Sequence, residues 1–121
     1  MKIFLIDIDG TVCDDIPNEQ SYLFADAKPI INSREQINKW LGEGNTIFFF
    51  TARGEEHREV TQKWLVDNGF HFHGLIMGKP RCLGSDDEYI WIDNRKVRGI
   101  TYNSTWGDLK EVQKKILTFG D

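Results

Sequence analysis

The stretch Ile3-Phe4-Leu5-Ile6-Asp7-Ile8-Asp9-Gly10-Thr11 decides how the rest of the chain is read. From Ile3 to Ile8 it is almost continuously apolar and rich in β-branched residues, the pattern of a strand covered on both faces. It then breaks into two carboxylates and a glycine. A buried parallel strand is therefore expected, with Asp7 and Asp9 at its carboxyl end. Met1 and Lys2 lead straight into the run, which is too short for a secretory segment or a membrane span. A cytoplasmic protein with no membrane partner is expected.

Outward from this strand, short apolar runs alternate with longer amphipathic ones, the signature of β-α units. Residues 9 to about 31 lack sustained periodicity and suggest an irregular excursion. Ser33 and Gln36 have the spacing of a capping box, and Ile37, Trp40 and Leu41 follow at helical intervals until Gly42 and Gly44. Thr46–Phe50 reads as a second strand, with Thr51-Ala52-Arg53-Gly54 at its carboxyl end. Glu55 and Glu56 suit the start of a second helix, whose core face carries Val60, Trp64 and Leu65 and which Asn68-Gly69 closes.

Leu75–Met77 predicts a third strand ending at Gly78-Lys79-Pro80, Tyr89–Ile92 a fourth ending at Asp93-Asn94, and Ile100–Tyr102 a fifth. A last helix is expected from near Thr105, with Asp108 in its cap and Leu109, Val112 and Ile116 on its core face. The expected fold is α/β, a Rossmann-like three-layer sandwich around a mostly parallel sheet. A length of 121 residues suits one domain.

Asp7, Asp9, Thr51, Lys79 and Asp93 all follow predicted strands. Open parallel sheets bind ligands beyond the carboxyl ends of their strands, so these side chains can converge on one pocket. Three carboxylates together repel one another unless a cation joins them, and a few hard oxygen ligands favour Mg²⁺. A lysine and a hydroxyl beside them suit a phosphate monoester.

The same residues resemble the haloacid dehalogenase (HAD) superfamily. Asp7-Ile8-Asp9-Gly10-Thr11 is similar to its first motif, Phe50-Thr51-Ala52-Arg53 to its second, Gly78-Lys79-Pro80 to its third and Ile92-Asp93-Asn94 to its fourth. The resemblance runs from Ile3 to about Tyr102 and implies a Mg²⁺-dependent phosphatase. Asp7 would then be the nucleophile and Asp9 the general acid and base, with Thr51 and Lys79 completing the catalytic set. Gly10, Thr51, Ala52, Arg53 and Lys79 would bind the phosphate, and Asp7, Asp9 (through its carbonyl), Asp93 and Asn94 the metal. Asn94 departs from relatives that carry a second acid there or a few residues later, which implies weaker metal affinity. Gly10 and the Thr11 hydroxyl are expected to fix the turn that carries Asp9.

Each of these residues also has a plainer reading. Asp-Gly is a common turn, Thr51 could only cap the next helix, and Lys79 could be a solvated lysine. Arg53 reaches either the phosphate or Glu55 and Glu56, and the sequence does not choose. His71 and His73 alternate with phenylalanines and do not read as a zinc site. The run from Ser85 to Glu88 reads as a solvated acidic loop, and all four tryptophans as core. Cys13 and Cys82 read as free thiols, Cys13 as an apolar filler close to the pocket or, less plainly, a redox-sensitive residue.

The gaps between the motifs leave no room for a cap domain, so the pocket should be open. Capless relatives act on bulky substrates or form oligomers whose neighbouring subunits close the site, so a homo-oligomer is one expectation. Fifteen basic and nineteen acidic side chains, net charge −4, argue against a polymeric nucleic acid. The resemblance extends to capless proteins of polysaccharide and heptose metabolism, which implies a small sugar phosphate. A nucleotide or polynucleotide-end phosphatase and a non-catalytic binding module are the alternatives.

Overall fold

A computed structural model describes residues 1–103, 105–107 and 109. The chain divides into two compact units, Met1–Arg81 and Cys82–Asp121. The first holds all the regular structure found among the described residues. Its elements are strand β1 (Ile3–Ile6), a 3₁₀ segment (Asn18–Asp26), helix α1 (Ser33–Gly42), strand β2 (Thr46–Phe50), a 3₁₀ turn (Glu55–His57), helix α2 (Arg58–Asp67) and strand β3 (Gly74–Ile76).

The three strands form an open parallel sheet in the order β1-β2-β3. Ile3 pairs with Thr46 and Ile6 with Phe49, while Phe48 pairs with Gly74 and Phe50 with Ile76. Each connection crosses from one strand to a parallel neighbour through a helix, as parallel pairing requires. All the strand carboxyl ends therefore lie on one side. The fold class is α/β, as the sequence led us to expect.

The core follows from the periodicities. On β2, Ile47 and Phe49 are buried while Thr46, Phe48 and Phe50 are half-buried, an alternation of period two. Phe49 meets the rings of Phe70 and Phe72 edge-on, and Trp64 of α2 stacks on Phe70. Ile37 of α1 and Trp64 and Leu65 of α2 are buried where helical spacing put them. Trp40 is half-buried and stacks on Phe4 of β1 with ring centroids 4.2 Å apart.

Several local expectations are corrected. β1 ends at Ile6 and not Ile8, because Ile8 already lies in a turn in which its carbonyl accepts hydrogen bonds from Thr11 N and Val12 N. Ser33 is the first residue of α1 and no capping box forms. The preceding Asn32 is left-handed (φ 70°), and the buried Ser33 hydroxyl turns back to donate to the Ile30 carbonyl at 2.7 Å. Glu55 and Glu56 form a 3₁₀ turn ahead of α2. β3 is shifted one residue toward the amino end of its expected range.

In the second unit Tyr89–Ile92 is not a strand, and all four side chains are exposed, Trp91 included. These residues make no ladder among the described residues, and the Trp91 indole N–H donates to Asp93 at 3.1 Å. Ile100–Tyr102 is likewise not a strand. The helix expected from Thr105 falls largely outside the described residues. Among those residues, no helix is long and apolar enough to cross a membrane.

Candidate active site

Asp7 is the first residue beyond β1, and three backbone facts shape its surroundings. Gly10 adopts φ +76°, a left-handed conformation that costs a glycine little, so the chain reverses immediately after the second acid. Its N–H is held by the Cys13 carbonyl at 3.0 Å. At the end of β2, Thr51 N donates to the Ile76 carbonyl, Lys79 N to the Thr51 carbonyl and Gly78 N to the Arg53 carbonyl. This stitching fixes the Thr51–Arg53 and Gly78–Lys79 loops to each other.

The four charged side chains at these strand ends fall into two pairs of opposite charge. Lys79 Nζ lies 3.4 Å from Asp7 Oδ1, and Thr11 Oγ1 donates to Asp7 Oδ2 at 3.2 Å. The Thr11 hydroxyl thus holds Asp7. The Asp7 side chain remains 37% exposed, the most open of the four charged groups, with Lys79 at 15%. Lys79 also lies 5.6 Å from the Phe50 ring centroid, within reach of a cation–π attraction.

Asp9 is 18% exposed and is bound by Arg53 in a two-point fork. Arg53 Nε donates to Asp9 Oδ2 at 2.9 Å and Nη2 to Oδ1 at 2.7 Å. A carboxylate offers about four acceptor sites, so the fork leaves about two for other partners. Arg53 itself is buried, at 1% exposure. Its charge is compensated by Asp9, by Nη1 donating to Thr61 Oγ1 at 2.9 Å, and by the Phe24 ring lying 3.7 Å from its Cζ. Arg53 makes no bridge to Glu55 or Glu56. Glu55 pairs with Arg58, and Glu56 Oε1 lies 3.6 Å from His57 Nε2.

Thr51 is fully buried, and its hydroxyl accepts from Arg53 N at 3.2 Å, closing a local turn two residues long and capping no helix. Ala52 is half-buried in the same turn. Asp7, Asp9, Gly10, Thr51, Ala52, Arg53 and Lys79 therefore all lie at the carboxyl ends of the parallel strands of one unit. Asp93 and Asn94 belong to the second unit. There the Trp91 indole and the backbone N–H of Arg95 hydrogen-bond the Asp93 carboxyl and hold it below the usual range.

Two participants went unrecognised in the sequence. Thr61 lies three and four residues before Trp64 and Leu65, so it shares their buried face, and a hydroxyl on an apolar stripe was the available signal. Phe24 carried no such signal, since it lies in the segment without periodicity.

Cys13 is fully buried beneath the Asp9 turn, with its thiol 3.3 Å from the Asp14 carbonyl and 3.9 Å from Asp9 Oδ1. Burial first, and then the neighbouring Asp9 charge, push the thiol up to about 12. It is the filler of the two readings, not a poised thiolate. His71 and His73 are both exposed, and His73 Nδ1 accepts the Ile47 N–H at 3.0 Å beside the sheet.

Magnesium prefers one or two carboxylates and shares its remaining sites with water and phosphate. Among the described residues no three His, Cys, Asp or Glu side chains cluster as a metal cage. Asp7 is an accessible hard oxygen donor of the right kind. The Asp9 carboxylate is gripped by Arg53 and keeps about two acceptor sites, and the Asp9 carbonyl is a further hard oxygen that could face a cation. This donor chemistry fits Mg²⁺ and does not fit zinc.

No family model matches the chain. Over 50 residues it is 34% identical to a Bacillus cereus protein described as a "Putative nucleotidase", a match covering 41% of this chain and 26% of that protein. The chain thus spans about a quarter of that relative's length. Its structure is similar to the crystal structure of a structural-genomics target from Vibrio cholerae, with a TM-score of 0.58 and 24% identity, covering 81% of this chain and 84% of the other. The first likeness is confined to 50 residues. The second speaks for the fold alone.

Proposed function

We propose that the protein is a Mg²⁺-dependent phosphomonoester hydrolase of the HAD type that works through a phosphoryl group carried on Asp7. The observation that carries the reading is the setting of Asp7: an accessible carboxylate just past the parallel strand β1, of which Ile6 alone is buried and Ile3 is exposed where a strand covered on both faces was expected, 3.4 Å from the Lys79 ammonium and bonded to Thr11. A second carboxylate two residues on is held apart from it by Arg53. Two nearby carboxylates in unlike surroundings are suited to unlike tasks.

In this reading an Asp7 oxygen attacks phosphorus while the bond to the ester oxygen breaks, and Asp9 gives the leaving oxygen its proton. Water then attacks the aspartyl-phosphate, gives a proton to Asp9 and releases Asp7. Lys79 offsets charge on the phosphoryl oxygens, and the Thr51 turn with the backbone of Gly10 and Ala52 holds them. Asp7 and the Asp9 carbonyl would hold Mg²⁺, with Asp93 and Asn94 the further ligands that the resemblance implies, and the cation would offset the repulsion between an anionic phosphate and an anionic nucleophile. In this reading Arg53 serves Asp9, to which its Nε and Nη2 donate, while its Nη1 donates to Thr61.

A small sugar phosphate is the substrate that the resemblance to capless HAD proteins implies. A nucleoside monophosphate is the second reading, supported by the similarity to a protein described as a nucleotidase. A phosphate-release screen across sugar phosphates, nucleoside monophosphates and 3′-phosphorylated oligonucleotides separates them. Release from none of these, with Mg²⁺ present, would favour a binding module.

A further inference from the structure

We infer that Phe24 and Thr61 are positioning residues that act through Arg53 to aim the Asp9 carboxyl at the leaving group, an assignment that rests on the phosphatase reading above. Four separate pieces of chain meet at this guanidinium. Asp9 comes from the turn after β1, Phe24 from the 3₁₀ segment Asn18–Asp26, Arg53 from the end of β2 and Thr61 from α2. Arg53, Phe24 and Thr61 are each at most 1% exposed. Water therefore competes little for the guanidinium, and its orientation is left to these partners.

The geometry constrains the group on one face and along its N–H edges. The Phe24 face, 3.7 Å from Cζ, fixes the guanidinium against one side, and Thr61 Oγ1 holds Nη1 at 2.9 Å. The remaining edge, Nε and Nη2, meets Asp9 as the two-point fork. A fork transmits orientation as well as charge, so a tilt of the guanidinium becomes a tilt of the carboxyl plane. The support is itself anchored. Trp64 Nε1 of α2 donates to the Ala27 carbonyl at 2.8 Å, just past the 3₁₀ segment, and the His57 ring meets Phe24 edge-on. The 3₁₀ segment and α2 thus hold the guanidinium as one assembly.

Proton donation matters most when the leaving group is a strong base. A fault in aiming Asp9 should therefore appear with phenyl phosphate and be largely masked with p-nitrophenyl phosphate, whose leaving group departs without help. The test compares kcat/KM, which reports the step in which the ester oxygen leaves, for the two esters in the wild-type protein, Thr61→Val, Thr61→Ser and Phe24→Leu. Because both esters are turned over by the same folded molecules, their ratio is independent of how much of a variant is folded.

Thr61→Val and Phe24→Leu are expected to lower kcat/KM for phenyl phosphate about tenfold more than for p-nitrophenyl phosphate, a fraction of the full value of a general acid. Thr61→Ser, which keeps the acceptor, is expected to restore the wild-type ratio. An unchanged ratio in Thr61→Val and Phe24→Leu, whatever the size of the losses, overturns the positioning role and leaves the phosphatase reading intact. A wild-type protein that hydrolyses neither ester overturns that reading and the positioning role with it.

Discussion

Arg53 grips Asp9 across 44 residues of sequence, with Nη2 2.7 Å from Oδ1 and Nε 2.9 Å from Oδ2, while the guanidinium itself is sealed from water. The pairing separates two acids that stand only two positions apart. Asp7 faces outward toward a lysine, and Asp9 is bound to the fold. A buried arginine is costly unless its donors are met, so the grip is structural as well as chemical.

Removing it should therefore cost stability. Arg53→Met leaves Asp9 without its fork and is expected to lower the unfolding free energy by about 3 kcal/mol, the low end for breaking a buried pair, because Asp9 retains some access to water. Arg53→Lys keeps the charge but not the fork and should fall between Met and wild type. Urea midpoints at pH 7 check the order; a Lys variant no better than Met would show that charge contributes nothing.

The Cys13 thiol gives a pH dependence whose sign follows from its shift. Its value rises from 9.0 to about 12 on folding, so above pH 9 the unfolded chain releases this proton while the folded one retains it. The contribution is present in full below pH 9 and is lost as pH climbs toward 12. Cys13→Ala should flatten the alkaline decline in stability, measured by denaturation at pH 8 and pH 10. In the native protein at pH 8, iodoacetamide should modify the exposed Cys82 and spare Cys13, as peptide mass spectrometry would show.

Gly74 tests the sheet that carries the site. A Cβ there would lie 2.3 Å from Phe48 Cε1 and 2.7 Å from Cδ1, on the strand paired with it. Gly74→Ala is expected to destabilise by about 2 kcal/mol through overpacking, and Phe48→Leu in the same chain to recover part of that loss. Thermal unfolding of the single and double variants provides the comparison.

Magnesium titration probes the reading of Asp93 and Asn94. Hydrolysis should vanish with chelator and return with Mg²⁺, Asp93→Asn should remove it, and Asn94→Asp should lower the Mg²⁺ concentration for half-maximal rate by adding a charged oxygen. An Asn94→Asp protein with an unchanged Mg²⁺ requirement would remove Asn94 from the metal's surroundings.

Strands and helices of the first unit were legible because period two and period 3.6 are written in the side chains themselves, from Ile47 and Phe49 to Ile37, Trp64 and Leu65. The placement of Asp7, Asp9, Thr51 and Lys79 at strand ends followed from the same patterns. What escaped depended on tertiary detail. Asn32 takes a left-handed turn that displaces the expected cap at Ser33, and Arg53 had candidate partners beside it in sequence but found Asp9 and Thr61 far away. Phe24 lies in a segment with no period to read. Tyr89–Ile92 has strand-like composition, but composition does not supply the partner strand that a ladder needs.

The central claim is that Asp7 carries the phosphoryl group, and the most direct measurement is p-nitrophenyl phosphate hydrolysis with Mg²⁺ by the wild-type protein and Asp7→Asn. The account predicts release by the wild type, none above background by Asp7→Asn, and an aspartyl-phosphate mass on Asp7 in rapidly quenched wild-type samples. Sustained hydrolysis by Asp7→Asn, or phosphate trapped on another residue, would contradict it.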